Sequence, residues 1–250
     1  MRTISESENE FWNNLKEEVR GYLFQRRYQK ALEGETPWEE KVMLEGTKIF
    51  TKLAISWRRL FKRSLDLTIS LVGLICAAPV MVFIALAVKL DSNGRVFFKQ
   101  ARVGMRGKVF TMFKFRTMCE NAEQKTGPIW AKANDPRVTR FGNFLRKTHL
   151  DELPQLFNVL KGEMSLVGPR PERPCFVNEF RKIIPHYERR LCVKPGITGL
   201  AQIKRGYDET LKDVKKKVRY DFLYVQKMCP LLDVRVLAMT VGAVMLKTGR

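Results

Sequence analysis

Histidine is almost missing from this chain: two residues, His149 and His186, in a length of 250. Neither has a second His or a Cys at metal-ligand spacing, so a histidine-built metal centre is not indicated, and no hydrolytic Ser/His/Asp arrangement can be argued. The five cysteines, Cys76, Cys119, Cys175, Cys192 and Cys229, are odd in number and form no C-x-x-C pair. That excludes a disulfide framework and a zinc ribbon. Gly104-Met105-Arg106-Gly107 is not a phosphate-binding P-loop, because the G-x-x-x-x-G-K-[ST] spacing is absent. No D-x-D triplet, internal repeat or low-complexity tract occurs. Acidic residues are scarce beside basic ones, 26 Asp and Glu against 46 Lys and Arg, for a net charge of +20. Anionic partners follow: nucleic acid, lipid headgroups or phosphorylated substrates.

Long apolar runs are scarce too, and the one that exists selects among those partners. Leu67–Val88 is 22 residues without a charge, enough for a straight helix to cross a hydrocarbon core of about 30 Å. Two features oppose a simple span. Pro79 removes a helical hydrogen bond and clashes with the carbonyl of Ile75, which predicts a break at Ala78-Pro79. Basic residues crowd both ends, with Lys52, Arg58, Arg59, Lys62 and Arg63 before the run and Lys89, Arg95, Lys99, Arg102, Arg106 and Lys108 after it. By the positive-inside tendency both ends prefer the cytoplasm. A re-entrant helix hairpin over about residues 64–90 meets both constraints, and a kinked spanning helix is the alternative. Lys62 and Arg63 precede Asp66 by four and three positions, placing all three on one helix face. A surface salt bridge of a few tenths of a kcal/mol is expected there, and neutralising Asp66 makes shallow insertion less costly. Basic residues beside the run draw anionic lipid at about 1 kcal/mol each, so no nucleic acid is required.

The chain opens polar and its apolar stretch begins only at Leu67, so no N-terminal signal peptide is expected and the catalytic mass should stay cytoplasmic. At 29.1 kDa there is room for one sizeable domain and an extension. Residues 1–60 read as a helical extension, with an amphipathic stretch from Asn9 to Leu32 and a second helix from Trp38 to Leu60. Val96–Gln100 and Lys108–Phe115 read as two strands joined by the Gly104–Gly107 turn. From Arg137 onward short helical patterns alternate with proline-bearing loops, and Val236–Leu246 is an apolar stretch suited to packing or interfacial seating.

The chemistry concentrates in Arg146-Lys147-Thr148-His149-Leu150-Asp151-Glu152-Leu153-Pro154-Gln155 and in Gly168-Pro169-Arg170-Pro171. Glu17-Glu18, Glu39-Glu40 and Asp208-Glu209 are also adjacent acids, but only Asp151-Glu152 is flanked by Leu150, Leu153 and Leu156. A partly buried carboxylate needs a cation, a metal or a shifted pKa, and two hard oxygen donors suit Mg²⁺ together with substrate phosphates. Arg137 and Arg170 sit in proline-fixed loops, where the guanidinium fork fits phosphate oxygens or a structural salt bridge. Lys114 and Arg116 share a strand face, either toward ligand or toward solvent.

From Lys62 to about Gln202 the chain resembles the monotopic phosphoglycosyl transferases, bacterial sugar transferases that begin polysaccharide and glycoconjugate assembly. The matching stretches are Lys62-Arg63-Ser64-Leu65-Asp66, the apolar run with its proline, Lys114-Phe115-Arg116-Thr117-Met118, Asp135-Pro136-Arg137, Leu150–Gln155, Met164–Pro171 and Lys194–Gly199. The resemblance implies an α+β, mainly helical fold with a membrane-embedded re-entrant hairpin, interfacial helices and a cytoplasmic catalytic domain over residues 61–250. It implies Mg²⁺-dependent transfer of sugar-1-phosphate from a UDP-sugar to polyprenyl phosphate, at the cytoplasmic face of the bacterial inner membrane. Asp151 then resembles the nucleophile and Glu152 its metal-associated partner, while Arg146, Arg170, Arg137, Lys114 and Arg116 stand near phosphates. Homo-oligomerisation is left open. Three positions depart from the family pattern: Ala78 where some members have Ser, His149 where a small hydroxyl residue is commoner, and Asn93 where Gly-Pro is frequent. A non-catalytic basic membrane scaffold is the alternative from another class, although adjacent carboxylates among arginines have no use in one.

Overall fold

A computed structural model describes residues 38–120, 122, 124, 127, 135–204 and 210–245. The amphipathic stretch expected from Asn9 to Leu32 and the Asp208-Glu209 pair lie outside them. The chain divides between Arg59 and Leu60 into two units. Helical backbone from Trp38 belongs to the first, and every element below lies in the second apart from that start.

The architecture is mostly helical with two small sheets. Helix α1 is Trp38–Asp91. Strands β1 (Phe97–Val103) and β2 (Val109–Phe115) pair antiparallel, Phe97 opposite Phe115. Their connection is a short helical turn in which Arg106 and Gly107 take left-handed φ of 57° and 77°, as a tight hairpin requires. Then come α2 (Arg140–Thr148), α3 (Gln155–Lys161), β3 (Ser165–Val167), α4 (Pro174–Ile183), β4 (Gly196–Thr198), α5 (Leu200–Lys204), α6 (Leu211–Lys227) and α7 (Pro230–Met245). Local signals set these ends. Thr139 caps α2 by accepting from Gly142 N, Thr210 and Asp213 form a reciprocal capping box on α6, and Gly162 ends α3 at φ 83°.

The stretch Arg59–Asp91 is 33 residues and is long and apolar enough to cross a membrane. Helical backbone continues through Pro79, which corrects the expected interruption at Ala78-Pro79. The reason lies on the inner face. Lys62, Asp66, Ser70, Gly73, Ala77, Met81, Ile84 and Val88 recur every three to four positions, and each is buried or half-buried. Small side chains at Ser70, Gly73 and Ala77 admit close packing, and a Cβ on Gly73 would sit 3.5 Å from Leu156 Cδ1. Pro79 is exposed, so it points away from that packed stripe. The outer face, with Leu67, Leu71, Val72, Ile75, Val82, Phe83, Leu86 and Leu90, is bare.

Polar ties hold the start of this stripe. Asp66 Oδ1 accepts from Ser165 Oγ and from Leu166 N, each at 3.0 Å. Lys62 Nζ donates to Asp233 Oδ2 at 2.7 Å and to Val167 O at 3.1 Å, and Tyr224 Oη donates to Asp233 Oδ1 at 2.7 Å. Arg63 donates to Val159 O and Leu160 O at 2.7 and 2.9 Å, in the last turn of α3. The three residues therefore serve long-range contacts and not the intrahelical salt bridge expected from their spacing. At the other end Arg116 Nη2 donates to Val88 O and Ser92 O at 3.1 and 2.6 Å.

Three apolar clusters fill the unit: one beneath α1 with Ile84, Val88, Phe115 and Leu145, one between β2, β3 and α7, and one between α4 and α6. β3 and β4 run parallel, with Ser165 opposite Gly196. Their ends meet backbone to backbone: a Cβ on Gly196 would lie 2.1 Å from Gly168 N, and one on Gly199 2.2 Å from Gly168 O. Gly196→Ala should therefore lower stability by at least about 2 kcal/mol through overpacking and a displaced strand pair. Gly242→Ala, in an open helical position, should be neutral or stabilising by up to about 1 kcal/mol. Thermal unfolding of the two variants side by side checks the contrast.

Candidate active site

Left-handed backbone at a single non-glycine residue places the acidic pair. His149, at φ 56°, ends α2 and turns the chain into a helical turn over Leu150–Glu152. Few residues other than Gly take that conformation, Asn, Asp and His more often than the rest, and a histidine here costs on the order of 1 kcal/mol. The departure noted at position 149 thus falls on the residue that aims Asp151 and Glu152. Pro154 then opens α3, whose Asn158 donates to Thr111 O and accepts from Phe113 N at 2.7 and 3.1 Å. That stitch holds α3 along β2, and β2 carries Lys114 toward the acids.

Lys114 and Arg170 close on the pair from two sides. Lys114 Nζ lies 2.6 Å from Glu152 Oε1 and 3.4 Å from Asp151 Oδ2. Arg170 reaches both Glu152 oxygens, Nη2 to Oε1 at 2.5 Å and Nη1 to Oε2 at 3.3 Å, a two-point grip. The two carboxylates differ accordingly. Burial pushes Asp151, 6 % exposed, above the usual carboxylate range, with Lys114 opposing this only in part. Burial also opposes the charge on Glu152, but Arg170 and Lys114 outweigh it and hold that carboxyl well below its ordinary value. One acid is firmly ionised and the other is desolvated, a separation typical of sites with divided roles.

The remaining expected phosphate ligands are placed as follows. Arg137 pairs with Asp135, Nε to Oδ1 at 2.8 Å and Nη2 to Oδ2 at 2.6 Å, which holds Asp135 down to about 2. Arg146 donates from Nε to Thr117 Oγ1 at 2.9 Å and stands near enough to Asp135 to help depress it. These form a second cluster about the end of β2. Arg116 donates through Nη2 to Val88 O and Ser92 O at the end of α1, so it and Lys114, expected on one strand face, reach different partners. Among the described residues no group of three or more His, Cys, Asp or Glu side chains could hold a metal ion alone. Asp151 and Glu152 offer two hard oxygen donors, which fits a cation completed by ligand oxygens.

Sequence reading missed the scaffold behind Arg170. Arg190 is buried and pairs with Asp221 at 2.8 Å, and Arg102 and Lys217 flank Glu172 at 3.7 and 3.4 Å. No local motif marks these contacts.

Residues 57–247 match the family model described as bacterial sugar transferase. The chain belongs to that family. It is 43 % identical over 188 residues to a UDP-N-acetylgalactosamine-undecaprenyl-phosphate N-acetylgalactosaminephosphotransferase of Aeromonas hydrophila, covering 75 % of this chain and 44 % of that protein. A UDP-glucose:undecaprenyl-phosphate glucose-1-phosphate transferase of Xanthomonas campestris pv. campestris is 45 % identical over 177 residues, 70 % of this chain and 37 % of that one. The exopolysaccharide production protein PSS of Rhizobium leguminosarum bv. phaseoli is 40 % identical over 189 residues, 72 % of this chain and 92 % of that one. The chain thus spans less than half the length of the first two relatives.

The shifted carboxyls give a stability contrast at pH 7. Glu152, depressed in the fold, stabilises it above its unfolded pKa, and that contribution fades as pH falls. Asp151, raised in the fold, stabilises it only while protonated, so its charge is a burden at neutral pH. Glu152→Gln should cost about 2 kcal/mol or more by leaving Lys114 and Arg170 without their counter-ion, whereas Asp151→Asn should leave the melting temperature unchanged or raise it. Calorimetry on both variants tests this opposition of sign.

Proposed function

We propose that this protein transfers a sugar-1-phosphate from a UDP-sugar to a polyprenyl phosphate, releasing UMP. The carrying observation is the acidic pair with its unequal partners, Asp151 desolvated beside a Glu152 that Lys114 and Arg170 hold ionised. The activities for which the undecaprenyl-phosphate relatives are named support the same reaction class.

Asp151 is the nucleophile. One carboxylate oxygen bonds to the sugar-bearing phosphorus of the donor, and the bond from that phosphorus to the bridging oxygen breaks. The electron pair leaves with UMP. The sugar phosphate is then held as an acyl phosphate on Asp151, and an oxygen of polyprenyl phosphate displaces the carboxylate to form the lipid diphosphate sugar. Splitting the displacement predicts ping-pong kinetics. Lys114 and Arg170 orient and neutralise the phosphate oxygens, which is where catalysis of phosphoryl transfer resides. Asp151, Glu152, Lys114 and Arg170 are formally neutral together, so a donor diphosphate arrives with its charge unbalanced. Asp151 and Glu152 would hold Mg²⁺, which would restore that balance and stabilise the leaving phosphate electrostatically. Arg146 and Arg137, on the second cluster, extend the cationic surface for the nucleotide.

The membrane seat follows from α1. Its inner stripe meets the same unit from Lys62 to Val88 while its outer face is apolar and bare, which supports a helix lying along one leaflet with both ends cytoplasmic. Exposed Phe144 on α2, Phe157 on α3 and Leu231, Val234 and Val241 on α7 suit interfacial seating against anionic lipid. The site then faces the cytoplasmic side of the inner membrane, where nucleotide sugars are found.

Purified protein with Mg²⁺, polyprenyl phosphate and a panel of UDP-sugars should release UMP with at least one donor, and Asp151→Asn should lower that rate at least about 10³-fold. Undiminished release by Asp151→Asn refutes the nucleophile. In a cysteine-free background, Arg59→Cys and Arg95→Cys should both label from the cytoplasmic side only, and labelling from opposite sides would make α1 a span.

A further inference from the structure

Two arginines that take no part in the proposed chemistry lie behind the loop that carries Arg170. Arg190, 3 % exposed, donates from Nη2 to Arg170 O at 2.7 Å, from Nη1 to Tyr187 Oη at 2.7 Å and from Nε to Asp221 Oδ2 at 2.9 Å. Arg102 donates from Nη1 to the next carbonyl, Pro171 O, at 2.9 Å. Backbone groups take the carbonyls on either side: Gly196 N donates to Pro169 O at 3.0 Å and Val103 N to Glu172 O at 2.9 Å. Four consecutive carbonyls, 169 to 172, are thus each held by a donor remote in sequence, Gly196, Arg190, Arg102 and Val103 in turn.

The loop has little freedom left. Pro169 and Pro171 fix their own φ, and each also restricts the residue before it. Arg170 stands between them with its backbone pinned, so the exit direction of its side chain toward Glu152 is set from behind. Guanidinium groups suit this task because one fork can serve three acceptors at fixed angles, which a lysine ammonium cannot. A buried ion pair such as Arg190 with Asp221 is seldom better for stability than apolar residues of the same volume. Its geometry therefore points to placement and not to strength of fold.

We infer that Arg190 and Arg102 are positioning residues, which grip adjacent carbonyls of the Gly168–Pro171 loop and so hold the Arg170 guanidinium on the acidic pair and the transferring phosphate. The assignment rests on the transfer reaction proposed above. It requires that loss of either grip be felt through Arg170 alone.

A double-mutant cycle on the full chain reads this, using single-turnover UMP release with the active donor so that slow variants remain measurable. Arg190→Lys should lower the rate by about 10-fold or more, with donor KM within about twofold of wild type. In an Arg170→Lys background the same change should cost less than about twofold, because the arm it directs is already gone. Equal losses in both backgrounds overturn the assignment. Arg102→Lys repeats the cycle at the neighbouring carbonyl, and it decides the matter if Arg190→Lys does not fold as judged by thermal unfolding. An active wild type with additive losses sinks the positioning role alone, whereas a wild type that releases no UMP from any donor sinks the transfer reading and this role with it.

Discussion

A helix that carries Lys62, Arg63 and Asp66 on one face and an unbroken apolar surface on the other can satisfy both only by laying its polar face on protein. Asp66 does so through Ser165 Oγ and Leu166 N, and the rest of the unit is organised around that docking. The tie falls on β3, and β3 runs directly into the Gly168–Pro171 loop and Arg170. At the far end, Arg116 joins the last carbonyls of the helix to the end of β2, two residues from Lys114. The two cations that meet at Glu152 therefore come from segments tethered to opposite ends of one long apolar helix. A shift of α1 along its own axis would move both.

That arrangement explains why the inner stripe is built of small residues where it is. Ser70, Gly73 and Ala77 bring α1 close to Leu156 on α3, and α3 begins immediately after the acidic turn. Large side chains in the stripe would lift the helix off α3 and loosen the short path from membrane to site. The exposed outer face bears no such constraint, which is why it varies freely among Leu, Ile, Val and Phe.

What could be read from the sequence was local. The apolar run, the hairpin strands about Gly104–Gly107 and the Asp151-Glu152 pair are each defined by neighbours within a few positions, and the structure has all of them. Lys114 and Arg170 were legible as phosphate ligands from residue type and from the resemblance, but their convergence on Glu152 was not. Long-range pairing was not legible. Asp66 looked like the partner of Lys62 because helix spacing puts them together, yet Lys62 pairs with Asp233 and Asp66 with β3. Arg116 looked equivalent to Lys114 by strand alternation, but the strand ends at Phe115 and its side chain turns to α1. Arg102 and Arg190 had no motif at all, since their partners are backbone carbonyls, which every residue has. The proline break failed for a tertiary reason: packing on the stripe holds the turns on both sides of Pro79 against the unit, and a proline that faces away costs a hydrogen bond without parting the helix.

The division of labour between the two acids follows from where the cations stand. A carboxylate gripped at both oxygens by Lys114 and Arg170 is a poor nucleophile, because its lone pairs are already engaged and its basicity is suppressed. The neighbouring carboxylate keeps one long contact, to Lys114 at 3.4 Å, and burial raises its basicity. Placing the two side by side on one helical turn gives a single site both properties, a reactive oxygen and a fixed negative charge that anchors the phosphate-binding cations when no substrate is present. Exchanging the partners would reverse the roles. The left-handed residue at 149 supports this asymmetry, since the turn it begins buries Asp151 while presenting Glu152 to the arms from β2 and from the Gly168–Pro171 loop. The local strain there is thus repaid in geometry: the turn fixes which carboxylate is gripped by the cations and which is not.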